Sequence, residues 1–236
     1  MTRRILRAAG CALAALLLHS AAPQAQHELT GGTQWGPLVQ EASRALALTG
    51  DPRAGKARYG VCAACHRPTA WGDPAGTLPQ LAGQHATVLI KQIADMRASQ
   101  RDNPAMYPFA ILIEGPQELA DLAAYIGTLP MNPMNPQGPG TDVGYGKALF
   151  EDTCARCHGP SGEGSLAAAI PLIGGQTYAY IVRQLKEIRD GKRRNANPDM
   201  VKQVIGFSDR DFLAVADYVS RLRTPSHGRN LEPLSK

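Results

Sequence analysis

Apolar residues recur at three- and four-residue spacing in two well-separated stretches. Leu119, Leu122, Ala123 and Ile126 form one face of 118–126, and Phe212, Val215, Ala216 and Val219 form one face of 211–219. That period predicts amphipathic helices. Two further helices are expected over about 84–99 and 177–190, each ahead of a loop that holds a methionine. In each half an earlier helix is expected to run into a C-x-x-C-H sequence, followed by a Gly- and Pro-rich loop. No stretch alternates in the manner of a strand, so the expected class is all-α. Residues 27–50 have no counterpart in the second half, and 38–48 could form one short helix over a domain surface.

The two halves repeat. Cys62–His66 and Cys154–His158 stand 92 positions apart, and Gly83-Gln84 recurs as Gly175-Gln176 at the same offset. Lys91-Gln92 matches Arg183-Gln184, while Asn103-Pro104-Ala105-Met106 returns as Asn197-Pro198-Asp199-Met200 with the offset grown to 94. Gly55 and Tyr59 match Gly146 and Phe150, and Tyr125 matches Tyr218. The period is too long for a solenoid, so two tandem domains are expected. Their bounds read as 51–129 and 143–225, with a Pro/Gly-rich linker over 130–142 and a tail over 226–236. Four prolines and two glycines between Leu129 and Asp142 forbid a regular helix there, and a semi-rigid extended connection is expected.

The N-terminus departs from this plan. Arg3, Arg4 and Arg7 precede an apolar run from Ala8 to Leu18, and small residues follow. Residues 1–25 therefore read as a secretory signal peptide, with 26–50 an N-terminal extension. The apolar run is too short for a permanent membrane span. Cleavage would remove three arginines and one cysteine, lowering the formal charge from +5 to +2 and leaving four cysteines, all in the two motifs. No thiol then remains for a disulfide or a nucleophile. Export to the periplasm is expected, and a net charge this small offers no nucleic-acid patch.

C-x-x-C-H is the attachment signature of c-type haem. Two cysteines three apart on a helical turn can form thioethers to the two vinyl groups, and the next histidine then faces the iron. Zinc and dithiol centres also use C-x-x-C, but two copies each ending in histidine favour two covalent haems. Cys62, Cys65, Cys154 and Cys157 are the attachment candidates, with His66 and His158 as iron ligands. For the opposite face of each iron, Met106 lies 40 residues after His66 and Met200 lies 42 after His158. The alternative role for a methionine is core filling; the shared N-P-x-M context points both to ligation. Met96 matches Ile188 and is expected in the core, while Met131 and Met134 look incidental to the linker. His85 matches Thr177, and His27 and His227 sit near the ends, so surface or capping roles are expected for them.

Pro79 and Pro171 each follow their histidine by 13 residues. They are either loop punctuation or carbonyls that accept the imidazole Nδ1 proton. Gly55 and Gly146 are candidate helix-crossing points, or plain packing positions.

These motifs resemble the dihaem cytochrome c4 family, two class I cytochrome c domains in tandem. The likeness spans about 51–222 and rests on both C-x-x-C-H motifs, Leu81–Gln84, the methionine segments and Asp121–Tyr125. It implies a soluble or loosely membrane-associated periplasmic electron carrier with His/Met iron: His66 with Met106, and His158 with Met200. Such a carrier has redox proteins as partners, a quinol-oxidising donor complex and a terminal oxidase or reductase of the respiratory chain, and no small-molecule substrate. Arg67 departs from the pattern, since glycine usually follows the motif, as Gly159 does in the second half. The rival reading is the dihaem subunit of a flavin-dependent sulfide dehydrogenase, which relays electrons without catalysing. Dihaem peroxidases and thiosulfate dehydrogenases fit less well, because their irons are open or carry histidine or cysteine. The second half carries 14 basic and 10 acidic residues over 143–236, with Lys192, Arg193 and Arg194 consecutive. That run is either a solvated face or a docking surface that steers an acidic partner.

Overall fold

The computed structural model describes residues 39–223. The expected signal peptide, most of the N-terminal extension, the 226–236 tail, His27 and His227 lie outside the described residues. Among the described residues there are helices and no strands, only an isolated bridge between Ser165 and Ile170.

The first half comprises α1 (Gln40–Leu46), α2 (Pro52–Arg58), α3 (Gly60–His66), α4 (Ala86–Arg97), α5 (Tyr107–Ala110) and α6 (Pro116–Thr128). The second comprises α7 (Val143–Leu149), a π-helical turn (Phe150–Cys154), α8 (Ala155–His158), α9 (Tyr178–Arg189), α10 (Pro198–Val204) and α11 (Asp209–Arg221). Local chemistry sets the starts. Asp51 caps α2 by accepting from the Arg53 N–H, with Pro52 at the first position where a missing donor is harmless. Ser208 and Asp211 form a reciprocal capping box on α11. The matching helix α6 starts on Gly115 at φ 113°, and there Glu118 accepts from the Glu114 N–H at 2.8 Å.

The apolar faces named from the sequence are buried. Leu119, Leu122, Ala123 and Ile126 of α6 pack in one core, and Phe212, Val215, Ala216 and Val219 of α11 in the other. Helix α2 crosses α6 at Gly55, where an added Cβ would lie 2.0 Å from the Asp121 carbonyl oxygen. Helix α7 crosses α11 at Gly146, where a Cβ would lie 2.0 Å from the Ala214 oxygen. Both glycines are therefore contact points between backbones. Tyr59 meets Tyr125 with ring centroids 5.3 Å apart, and Phe150 meets Tyr218 at 5.5 Å.

The π turn has a cause in the repeat. Gly55 precedes Cys62 by seven residues, but Gly146 precedes Cys154 by eight. The extra residue falls between Phe150 and Cys154, the span that winds as a π turn. An insertion absorbed in this way keeps both the crossing and the motif in place. Helix α1 is the short helix expected near 38–48. It packs on α4 and α6 through fully buried Ala42 and Ala45, with Glu41 bridged to Arg97 at 2.7 Å.

The linker over 130–142 carries no helix, as expected of an extended connection, and it is also packed against both halves. Asn135 is buried and donates to the Ser220 carbonyl at 2.8 Å, and Trp71 donates to the Pro130 carbonyl at 2.8 Å. Met131, expected to be incidental, is buried over Gly83, whose absent side chain leaves it room; Met134 is exposed. The run Lys192-Arg193-Arg194, read as either a solvated face or a docking surface, is solvated at Lys192 and Arg194 but also reaches the first half. Arg193 reaches across to Gln92 at 3.0 Å, and Arg194 donates to the Ser99 carbonyl at 2.8 Å and pairs with Asp102. Arg193 and Arg194 thus tie the two halves together through acceptors of the first half.

Arg67 adopts φ 66° and ψ 160°, a region that only glycine occupies freely; Gly159 takes the same corner at φ 79°. Arg67→Gly is therefore expected to stabilise the protein by about 1 kcal/mol, the relieved strain less the entropy glycine adds to the unfolded chain. A denaturant titration at matched haem content checks it, with Arg67→Ala showing no gain.

Candidate haem-binding site

His66 closes α3 and His158 closes α8, each just before the positive-φ corner that turns the chain away. Both imidazoles are buried. Nδ1 of His158 lies 3.0 Å from the Pro171 carbonyl oxygen, and Nδ1 of His66 lies 3.4 Å from that of Pro79. A carbonyl only accepts, so this geometry places the proton on Nδ1 and leaves the Nε2 lone pair free for a metal. Burial pushes both imidazoles below the usual histidine range, although the proline carbonyls partly oppose it. Neutral imidazole, the ligating form, is thus favoured.

Cys62, Cys65, Cys154 and Cys157 stand beside these histidines with no disulfide among them. Burial pushes the Cys154 thiol up to about 11 and raises Cys62 as well. One continuous cavity of about 1130 Å³ is bordered by all four thiols, both histidines, Pro79, Pro171, Met106 and Met200. That exceeds the roughly 300–1,000 Å³ of an ordinary single-ligand pocket. The structure thus brings together every site residue named from the sequence in one space that crosses the domain boundary.

The two methionines arrive differently. Met106 sits in a turn, its N–H held by the Asn103 carbonyl at 3.0 Å, immediately before α5. Met200 lies within α10 and not in the expected loop, because Asn197 caps that helix by accepting from the Asp199 N–H and Pro198 starts it. Met96 is buried, as expected of a core residue, and also borders the cavity. His85, expected at the surface or in a capping role, is half-buried at the N-cap position of α4, although its side chain does not cap that helix. Its Nε2 lies 2.8 Å from the Glu163 carbonyl of the other half.

Where the halves meet, the cavity wall is basic, and Arg101, which pairs there with Arg193, was missed in the sequence. Arg101 and Arg193 approach the side-chain oxygens of Gln92 and Gln184 together. Burial and the neighbouring Arg101 push the Arg193 guanidinium down to about 10, so it stays charged at neutral pH. Tyr180, 3.5 Å from Arg101, is itself pushed up by burial and then brought below its ordinary value by these arginines. The offset of 92 that relates Arg101 to Arg193 was the available signal. An apolar cavity with two C-x-x-C-H sets and a central basic pair suits two porphyrins, each with two carboxylates.

The family model for cytochrome c matches residues 52–130 and again 143–223. The chain is 34% identical over 183 residues to cytochrome c4 of Pseudomonas aeruginosa, covering 73% of this chain and 89% of that protein. The chain belongs to the cytochrome c4 family. Its structure is similar to that of reduced recombinant cytochrome c4 from Pseudomonas stutzeri, with a TM-score of 0.68 and 30% identity. That match covers 74% of this chain and 100% of the other. A protein of Stutzerimonas stutzeri named thiosulfate dehydrogenase electron acceptor is 31% identical over 179 residues, covering 72% of this chain and 82% of its own length. As a member of the cytochrome c4 family the chain carries two covalently bound haem c groups and transfers electrons; it is not an enzyme.

Proposed function

We propose that this cytochrome shuttles single electrons in the periplasm, with one haem iron between His66 and Met106 and the other between His158 and Met200. Cys62 and Cys65 hold the first haem by thioethers, and Cys154 and Cys157 the second. The observation that carries this reading is the single cavity bordered by both histidines and both methionines. Haem supplies an iron that alternates between two oxidation states, and its axial ligands set the potential. The chain's own residues do the rest. The Pro79 and Pro171 carbonyls orient the imidazoles and raise their basicity. The apolar walls exclude water, and Arg101 and Arg193 offset the haem carboxylates at the boundary. A cavity running through both halves supports electron exchange between the two haems within one molecule.

On this reading the partners are redox proteins, a quinol-oxidising donor complex and a terminal oxidase or reductase. The relative named as a thiosulfate dehydrogenase electron acceptor favours a second reading, in which the donor is a thiosulfate-oxidising dehydrogenase. The flavoprotein-bound reading is tested by co-purification, since a stable flavin-containing partner would replace the free carrier. The direct test is spectroscopic. Purified native protein is expected to give two haems per chain by pyridine haemochrome, and the ferric form the weak red absorption of iron bound to thioether sulfur. A five-coordinate iron, or nitrogen on both faces, overturns the carrier assignment.

A further inference from the structure

The two proline carbonyls beside the histidines belong to peptide units whose other ends are held by the opposite domain. The Pro79 oxygen faces His66, and the N–H of the same peptide unit, on Gln80, donates to the Gln176 side-chain oxygen at 3.0 Å. Gln176 also donates from its amide nitrogen to the Gln80 carbonyl at 2.8 Å. The second half mirrors this. The Pro171 oxygen faces His158, the Leu172 N–H donates to the Gln84 side-chain oxygen at 3.0 Å, and Gln84 donates to the Leu172 carbonyl at 2.9 Å. Gln84 and Gln176 are the repeated glutamines of the 92-residue offset, so the arrangement is a crossed pair. Gln176 and Gln80 are buried, and the Gln176 oxygen is anchored as well by the Thr177 N–H at 2.9 Å.

Hydrogen bonds in a chain polarise one another. An amide that donates through its N–H carries more negative charge on its oxygen and accepts more strongly. Each histidine therefore feels, through one peptide unit, a glutamine on the other domain. We infer that Gln176 and Gln84 are crossed positioning residues: Gln176 tunes the reduction potential at the His66 iron, and Gln84 tunes that at the His158 iron. This rests on His66 and His158 being the axial imidazoles. A stronger Nδ1 bond makes the imidazole a better donor and favours ferric iron, so losing the glutamine oxygen raises the potential of the opposite haem.

The test is a redox titration of the holoprotein in which each haem is followed by its own assigned NMR resonances. Gln176→Leu is expected to raise the domain-one midpoint and leave domain two near its native value; Gln84→Leu is expected to do the reverse. Gln176→Asn, which stays polar but withdraws the oxygen, serves if the leucine variant does not fold, and is expected to give the same crossed shift. Thr87→Val removes another cross-domain bond, from Thr87 to the Leu166 carbonyl at 2.7 Å, without touching either peptide unit. It is expected to move neither potential, whereas general loosening of the interface would move both. A shift confined to the variant's own domain, an equal shift of both haems, or no shift overturns the inference. The native spectrum keeps the two claims apart. If it lacks the thioether signature, the ligand assignment has failed; if it shows that signature and the shifts are not crossed, only the glutamine role has.

Discussion

Met106→Ala and Met200→Ala are each expected to lose half of the red thioether absorption of the ferric protein, and the double variant all of it. The backbone around each methionine is held independently of its side chain. The turn carrying Met106 is fixed by Asn103, and α10 by the Asn197 cap and Pro198. Truncation therefore removes the sulfur and leaves its segment in place. The affected haem should also fall in potential, because thioether ligation raises it. The competing role predicts a different pattern. Met200 packs partly against the second core, and a purely structural methionine truncated there would cost about 2–5 kcal/mol with the band untouched. Band loss measured against denaturant stability in the same preparations separates the two. Intact absorption in either single variant removes that methionine from the iron.

What the sequence disclosed followed the range of its signals. Helix faces such as Leu119–Ile126 were legible because burial on one side imposes a short period. The crossing glycines and the histidine–proline spacing were legible because duplication displays each constraint twice. The roles of Met131, Arg193 and Arg194 were not legible. Each is decided by partners far along the chain, Gly83 for Met131, Gln92 for Arg193 and Asp102 for Arg194. A basic run reads as solvated until its acceptors are located, and a proline-rich segment reads as a spacer until something packs on it. Met200 in a helix was missed for a smaller reason: Asn-Pro starts a helix as readily as it opens a loop. The domain interface thus stayed hidden although both domains were plain, even where paired glutamines and arginines at a constant offset marked its residues.

Gly146→Ala is expected to destabilise the second domain strongly. Its Cβ would lie 2.0 Å from the Ala214 oxygen and 2.4 Å from the Ala214 carbonyl carbon. No rotamer relieves a backbone collision, so α7 and α11 must separate and the core beneath them must open. Overpacking of this kind costs typically about 1–3 kcal/mol, and the upper end applies where neither partner can rotate aside. The intrinsic helix preference for alanine over glycine returns about 1 kcal/mol, leaving a net loss of about 2 kcal/mol. For a domain of this size that lowers the midpoint of thermal unfolding by about 10 °C. Gly144→Ala is the internal control. It sits two residues earlier in the same helix with nothing within 4 Å of an added Cβ, and is expected to be neutral or slightly stabilising. Equal stability of the two variants would show that the crossing yields. The damage should also reach the haem, since α7 continues through the π turn into Cys154–His158. Separation at Gly146 is therefore expected to perturb the second haem's absorption before the domain unfolds, whereas Gly55→Ala, with its collision against Asp121, perturbs the first.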